Sequence, residues 1–178
     1  MAKFDSDNYS FDVDPSVLDY FKFDEDDPTK PHYNGAAHCL KAVDVIFELD
    51  DKDIYVEVKD YSKHAGFNPK CPYSKSGDFC ANAKREKLVC RDIREKFVDT
   101  FLYRSAQGES LKAIECVLLI KADSALLVRF NDLLTQNFPK GKVTPTWARE
   151  IFHSVSVVNV NAWNETFGST VGECEYIG

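Results

Sequence analysis

The sequence lacks the features that mark membrane and secreted proteins. No stretch of the 178-residue chain approaches the ~20 consecutive apolar residues of a membrane-spanning helix. The segment MAKFDSDNYS has no basic and apolar pattern of a secretory signal. The six cysteines are therefore expected to be reduced thiols rather than a disulfide framework. We expect a soluble, cytoplasmic globular protein that engages no membrane, and 44% apolar with 29% charged residues is typical of one.

Positive charge is also scarce. The 22 Lys and Arg residues against 29 Asp and Glu give a formal net charge of −7. This balance argues against a DNA-binding surface spread over the whole chain, because nonspecific affinity for nucleic acid comes from cations that neutralise phosphates. The charge is uneven, however: residues 1–58 carry 5 basic and 15 acidic side chains, whereas residues 59–96 carry 10 and 5. The basic segment is either a local surface for phosphates or a solvated loop and helix face.

Residues 42–62, AVDVIFELDDKDIYVEVKDYS, predict a β-hairpin. β-Branched and aromatic residues alternate with polar ones on both sides of the turn-prone acidic residues 50–53. Side chains two apart on a strand share a face, so Glu57 and Lys59 point the same way. Asp44, on the neighbouring strand, lies on that face if the register allows it.

Two carboxylates and an ammonium on one face predict a metal site. Mg²⁺ is held by one or two carboxylates and keeps waters and substrate phosphate oxygens as its other ligands. Such an ion, Mg²⁺ or Mn²⁺, lowers the pKa of a bound water and stabilises charge on a phosphodiester under attack. Asp44 and Glu57 are the predicted metal ligands, and Lys59 is the third predicted catalytic residue, orienting the water or neutralising the developing charge.

At these residues the sequence resembles the PD-(D/E)xK nuclease superfamily, which has the restriction-endonuclease-like fold. Asp44 matches its acidic residue on the second core strand, and Glu57-Val58-Lys59 matches the (D/E)xK on the third. More narrowly, HCLKAVDVIFEL and IYVEVKDYS look like a bacterial group with a later helix carrying K-x-x-D-T, here residues 96–100. The resemblance covers about residues 38–121. It departs in having no proline before Asp44 and a serine at position 62, where the group has a basic residue.

The resemblance implies a fold and a function. The fold is α/β, a mixed central sheet flanked by helices, in a single domain spanning residues 1–178. The core covers residues 14–121, preceded by an N-terminal arm and followed by an extension over residues 122–178. The function is Mg²⁺-dependent hydrolysis of phosphodiester bonds in nucleic acid, DNA above all, and the resemblance leaves room for a protein partner.

Four further residues are candidates for the site. Lys96 and Asp99 share one face of a predicted helix over residues 84–105, and either reach the site or form a surface i,i+3 ion pair. His38 matches a histidine common in the resembled group. Asp19 is a possible third metal ligand on a short helix that begins at Asp14-Pro15 and runs to about residue 23, or an exposed helical acid.

The remaining elements follow from periodicity and turn residues. The segment 24–28, rich in acids, predicts a solvated loop. Residues 113–120 predict a buried strand, 124–136 a helix, 144–152 a short helix and 154–160 a strand. Residues 62–83 predict a long loop that acts as a flap over the site. With His64, Cys71, Cys80 and Cys90 it also offers a lower-ranked zinc site, although no CxxC spacing supports it.

One alternative belongs to a different class of protein. Alternating Glu and Lys also occur on solvated hairpin faces, and short motifs have many false matches. An acidic chain on the same fold would then be a catalytically silent binding protein, of the immunity or inhibitor type, that engages a basic partner.

Overall fold

The structure is a computed structural model and describes residues 2–36, 38–60, 79–108, 112–122 and 124–178, with helix side chains from residue 87 onward. In the described part of the chain, no helix is both long enough and apolar enough to cross a bilayer. The strands are β1 (Ala2–Ser6), β2 (Tyr9–Val13), β3 (Asp19–Lys22), β4 (Val45–Glu48), β5 (Lys52–Asp60), β6 (Ala113–Lys121), β7 (Ser154–Val158) and β8 (Gly172–Tyr176). The helices are α1 (Phe79–Ala106), α2 (Ser124–Gln136) and α3 (Val160–Phe167).

The central sheet is mixed and has the strand order β3-β4-β5-β6-β7. β3, β4 and β5 are antiparallel neighbours, whereas β5, β6 and β7 run parallel. The parallel step from β5 to β6 needs a long crossover, and α1 lies in it. β6 is buried on both faces, which explains its almost continuous apolar sequence. The α/β class and the mixed central sheet were therefore predicted correctly.

The two faces of the central sheet are covered differently. α1 and α2 pack on one face, against residues that include Ile46 and Tyr55. The other face carries Phe47 and packs against α3 and a second sheet of order β1-β2-β8. Because side chains alternate along β5, Tyr55 and Glu57 face α1 while Val56 and Val58 face the second sheet.

The helix predicted to begin at Asp14-Pro15 is wrong, because this segment is a turn followed by β3. The Asp14 carboxylate accepts the Ser16 N–H at 2.9 Å, and the Val17 N–H bonds to the Asp14 carbonyl at 3.1 Å. These bonds close one turn and do not propagate. The apolar residues that decide the element are Phe21 and Phe23, both buried and two apart, which is the spacing of a strand.

The short helix predicted over residues 144–152 is also wrong. The segment contains turns, and Phe152 forms a single bridge to Lys140. The hydroxyl of Thr144 accepts the Thr146 N–H at 3.2 Å, a local bond that competes with helix formation.

The predicted strand over 154–160 is confirmed as β7, and the arm before residue 14 is the β1–β2 hairpin. The tail, whose role the sequence leaves open, forms α3 and β8.

Candidate functional site

Asp44 and Glu57 lie across from each other on neighbouring strands. Asp44 directly precedes Val45, which pairs with Val56, so the β4–β5 register places Asp44 beside Glu57. Asp44 is 3% exposed and Glu57 is 0% exposed. The Val58 N–H donates to Asp44 Oδ2 at 2.6 Å, which fixes that carboxylate against β5. The condition on which the predicted metal site depended, a shared face for these two side chains, is met.

Two ammonium groups lie between the carboxylates. Lys59 Nζ contacts Glu57 Oε1 and lies 3.9 Å from Asp44 Oδ2. Lys96 Nζ, from α1, lies 2.7 Å from Glu57 Oε1, 2.9 Å from Glu57 Oε2 and 3.4 Å from Asp44 Oδ1. Strand β5 and helix α1 thus each contribute one cation to the same pair of acids. We call Asp44, Glu57, Lys59 and Lys96 the four-residue cluster.

Burial controls the charge on Glu57. Loss of solvent and the nearby Asp44 carboxylate raise the pKa of Glu57 to about 7, although Lys59 and Lys96 act in the opposite direction. Burial by itself would lower the pKa of Lys59, but Glu57 and Asp44 outweigh it and raise that pKa. Lys59 is therefore a cation at neutral pH and acts through its charge rather than as a general base.

The K-x-x-D-T residues of α1 all contact the hairpin region. Lys96 joins the cluster, as described above. Asp99 Oδ2 accepts the Lys41 N–H at 2.9 Å, and Thr100 Oγ1 accepts the buried Val43 N–H at 3.1 Å. The surface ion pair between Lys96 and Asp99, the alternative interpretation of this motif, is not what these described side chains form. These two hydrogen bonds anchor residues 41–43 to α1 and so fix the position of Asp44.

Replacing Thr100 by Val is expected to destabilise the fold by about 1–3 kcal/mol, because it leaves the buried Val43 N–H without an acceptor. The free energy of unfolding, measured by urea denaturation, checks this. Thr135→Val makes the same chemical change on α2, away from the cluster, and serves as the control. Equal unfolding free energies for the two variants would contradict the role given to Thr100.

An open cleft of about 490 Å³ leads to the cluster. Lys96 and Asp99 line it together with His38, an exposed residue, so all three of these candidates lie at the cleft. Asp24 also lines it. The motif thus marks one wall of the cleft and His38 another.

Sequence reasoning missed Asp24, because it placed this residue in a solvated acidic loop. The Phe23 N–H donates to the Asp44 carbonyl at 3.0 Å, which continues the β3–β4 ladder and brings Asp24 beside Asp44. Burial, then the Asp44 carboxylate, raise the pKa of Asp24 to about 6. The available signal was the two-residue spacing of Phe21 and Phe23, which predicts a strand that delivers the next residue to the sheet edge.

Asp19 does not reach the cluster: of its two predicted roles, the metal ligand is wrong, whereas the exposed acid is confirmed, although on a strand rather than a helix. It pairs with Glu48 in the β3–β4 ladder, at the opposite end of β4 from Asp44. There it lines a separate cleft of about 300 Å³ with Glu48, Asp53 and the buried Arg104. Arg104 Nη2 lies 2.5 Å from Glu48 Oε1 and 3.8 Å from Asp53 Oδ2, a buried ion-pair network. Asp19 lies far from the cluster because residues 19–22 form a strand, and pairing of this strand with β4 places Asp19 beside Glu48.

The zinc and flap hypotheses fall mostly outside the described residues. His64, Cys71 and the lysines of the 62–78 segment lie there, as does the side chain of Cys80. Cys90 is described and is buried. In the described ranges, no three His, Cys, Asp or Glu side chains are grouped so as to hold a metal ion. Within that part of the chain, a metal at the cluster would therefore depend on two carboxylates.

Comparison of the chain with protein-family models, with curated proteins and with solved structures gave no match. The function must consequently be inferred from the geometry of the cluster and its cleft.

Proposed function

We propose that the chain is a divalent-metal-dependent nuclease that hydrolyses phosphodiester bonds in DNA, on a restriction-endonuclease-like fold. The observation that carries this proposal is the convergence of Asp44, Glu57 and Lys59 on the α1 face of the sheet. Three residues separated by a turn in the sequence meet at one point, and that point adjoins an open cleft.

The strand arrangement supports the fold part of the proposal. β3, β4 and β5 are the first three strands of the central sheet in chain order. Asp44 therefore enters the second strand, and Glu57 with Lys59 lies on the third. These are the positions at which the resembled superfamily carries its acidic residue and its (D/E)xK.

The donor set fits a hard divalent cation. Asp44 and Glu57 offer carboxylate oxygens, which are the ligands that Mg²⁺ and Mn²⁺ take, and two carboxylates suffice where water and phosphate complete the shell. Among the described residues, Lys59 and Lys96 are the cations paired with the buried Glu57 carboxylate, and burial together with the Asp44 carboxylate outweighs them and raises its pKa. When bound, the ion supplies an activated water and charge stabilisation at phosphorus.

The protein's own residues have separate tasks in this scheme. Asp44 and Glu57 hold the ion, and the Val58 N–H keeps Asp44 oriented. Lys59, protonated at neutral pH, donates hydrogen bonds to the attacking water or to a phosphate oxygen. Lys96 approaches from α1 and offers a second positive charge for the phosphate.

The proposal predicts how Asp44→Asn and Lys59→Met differ. Titration of Mn²⁺ followed by calorimetry is expected to show one or two ions bound to the unmodified chain and their loss in Asp44→Asn. Lys59→Met is expected to keep the ion, since it removes a competing positive charge, but to cleave DNA about 10²–10³-fold more slowly. Asp132→Asn, which neutralises an exposed acid of α2, is the control for both readouts.

A second candidate is a catalytically silent acidic binding protein on the same scaffold. The observation that favours it is the ion pairing within the cluster, where two acids already have two ammonium partners, together with the net charge of −7. Such a protein needs no ion at Asp44. Absence of Mn²⁺ binding to the unmodified chain would contradict the nuclease and favour this candidate.

A further inference from the structure

A third cleft, which is basic, lies between α1 and α2. It has a volume of about 370 Å³. Leu133 and the buried Leu134 of α2 form an apolar wall, while Lys87, Arg91 and Arg94 of α1 supply three cations. The four-residue cluster uses none of these side chains.

The cations are segregated on one flank of α1. Residues 87, 91 and 94 are spaced i, i+4 and i+7, so they form a row along one helix face that extends about 10 Å. Of the acids in the same stretch whose side chains are described, Asp92 and Glu95 both bind Lys41 on the side of the hairpin, and Glu95 also lies beside Arg91 at the edge of the row. A chain with net charge −7 thus presents a concentrated positive strip at this place.

The charges of the strip are largely uncompensated. Arg91 Nε lies 3.5 Å from Glu95 Oε1, an exposed pair of the kind that contributes little. Among the described residues, no carboxylate lies within ion-pair distance of Lys87 or Arg94. Like charges at i, i+4 and i+7 repel one another slightly, and a bound polyanion would relieve this repulsion and match all three charges at once.

We propose that this cleft binds the phosphodiester backbone of the nucleic acid, away from the bond that is cut. The proposal rests on the proposed function and adds where a flanking part of the DNA lies. A regular row of cations matches the regular spacing of phosphates, and Gln136 and Asn137 at the end of the cleft can donate to phosphate or sugar oxygens. The strip and Lys96 lie on different flanks of α1. The helix is about 10 Å across, and a few nucleotides can span that distance.

The test is the salt dependence of DNA binding in the absence of a divalent metal. The triple variant Lys87→Gln, Arg91→Gln, Arg94→Gln is compared with a control, Lys30→Gln, Lys140→Gln, Lys142→Gln, which removes three exposed lysines elsewhere and changes the net charge equally. Binding of a fluorescent DNA duplex is followed by anisotropy in EDTA over a range of NaCl. The cleft variant is expected to reduce the slope of log K against log[salt] by about 2 to 3, since each neutralised phosphate contributes about 0.9. The control should change it by less than one.

Equal slopes for the two triples would overturn the proposal. So would a mononucleotide or a poly-glutamate peptide that bound as tightly as the duplex and lost affinity in the same variant, because the cleft would then serve another anion. If the triple variant folds poorly, the milder variant Arg94→Gln can be measured instead, and it should lower the slope by about one. The binding assay needs neither metal nor cleavage. A Glu57 variant that cleaved normally would therefore refute the proposed site and leave the cleft standing.

Discussion

Glu57→Gln is expected to lower the rate of DNA cleavage by about a thousandfold or more. The change keeps the shape of a fully buried side chain but removes one of the two carboxylates that would hold the metal ion. The ion contributes several kcal/mol of transition-state stabilisation, and each ~1.4 kcal/mol is tenfold in rate. Single-turnover cleavage of a labelled duplex with Mn²⁺ or Mg²⁺ measures the effect.

The control for this experiment is Glu173→Gln, the same chemical change at an exposed position of β8. It should cleave as fast as the unmodified protein. Glu57→Gln that is folded by circular dichroism yet cleaves at the control rate would refute the assignment of Glu57.

The folded protein is expected to lose about 3 kcal/mol of stability as the pH rises from about 4.5 to 7, owing to Glu57. Its pKa is raised from 4.5 to about 7 on folding, so the folded protein binds more protons than the unfolded chain in this range. An acid with a raised pKa stabilises below the unfolded value, and this contribution disappears as the pH passes the folded value. Asp24, with its pKa raised from 3.8 to about 6, acts with the same sign.

The difference between two variants isolates this effect from the other carboxylates. In metal-free buffer, Glu57→Gln should show a flatter dependence of unfolding free energy on pH than the unmodified chain. At pH 8 it should be the more stable of the two, because it resembles the protonated form. Glu173→Gln should follow the unmodified protein. An unchanged slope in Glu57→Gln would show that the buried carboxylate does not titrate as described.

Slower cleavage by Glu57→Gln, together with its higher stability at pH 8, would show a trade-off between stability and function at Glu57. Glu57 is buried beside another carboxylate, and Lys59 and Lys96 offset this cost only in part, yet the protein retains it at the site. Added Mn²⁺ should accordingly stabilise the unmodified chain by mass action and leave Glu57→Gln nearly unaffected.

The hairpin and its cluster were predictable because period-two alternation fixes which residues share a face. That rule placed Glu57 with Lys59 and allowed Asp44 to join them, and the register of β4 and β5 then met the condition. The helical spacing of residues 96 to 100 likewise predicted a shared polar face. Its contacts depend on tertiary packing, which spacing alone does not specify.

The failures arose where local signals competed with pairing between distant strands. Asp14-Pro15 is a good helix start, but the chain after it pairs with β4 through the Leu18 N–H and the Glu48 carbonyl at 2.8 Å. Two consequences followed: Asp19 was kept as a possible ligand of a site it does not reach, and Asp24 was placed in a solvated loop. The spacing of Phe21 and Phe23 does indicate a strand, but its partner lies about 25 residues further on, so residues 14–28 alone do not show which strand it pairs with.

The pairing of β8 with β2 affects when the four-residue cluster can form during synthesis. β8 is the last element of the described chain to leave the ribosome, yet it completes the layer beneath the hairpin. Its Tyr176 hydroxyl donates to Asp60 Oδ2 at 2.6 Å, directly after Lys59, and Tyr9 of the same layer donates to the Lys59 carbonyl at 3.3 Å. A nascent chain that lacks β8 carries every residue of the cluster but not the contact of Tyr176 with Asp60, so the cluster gains this support only after β8 has been made.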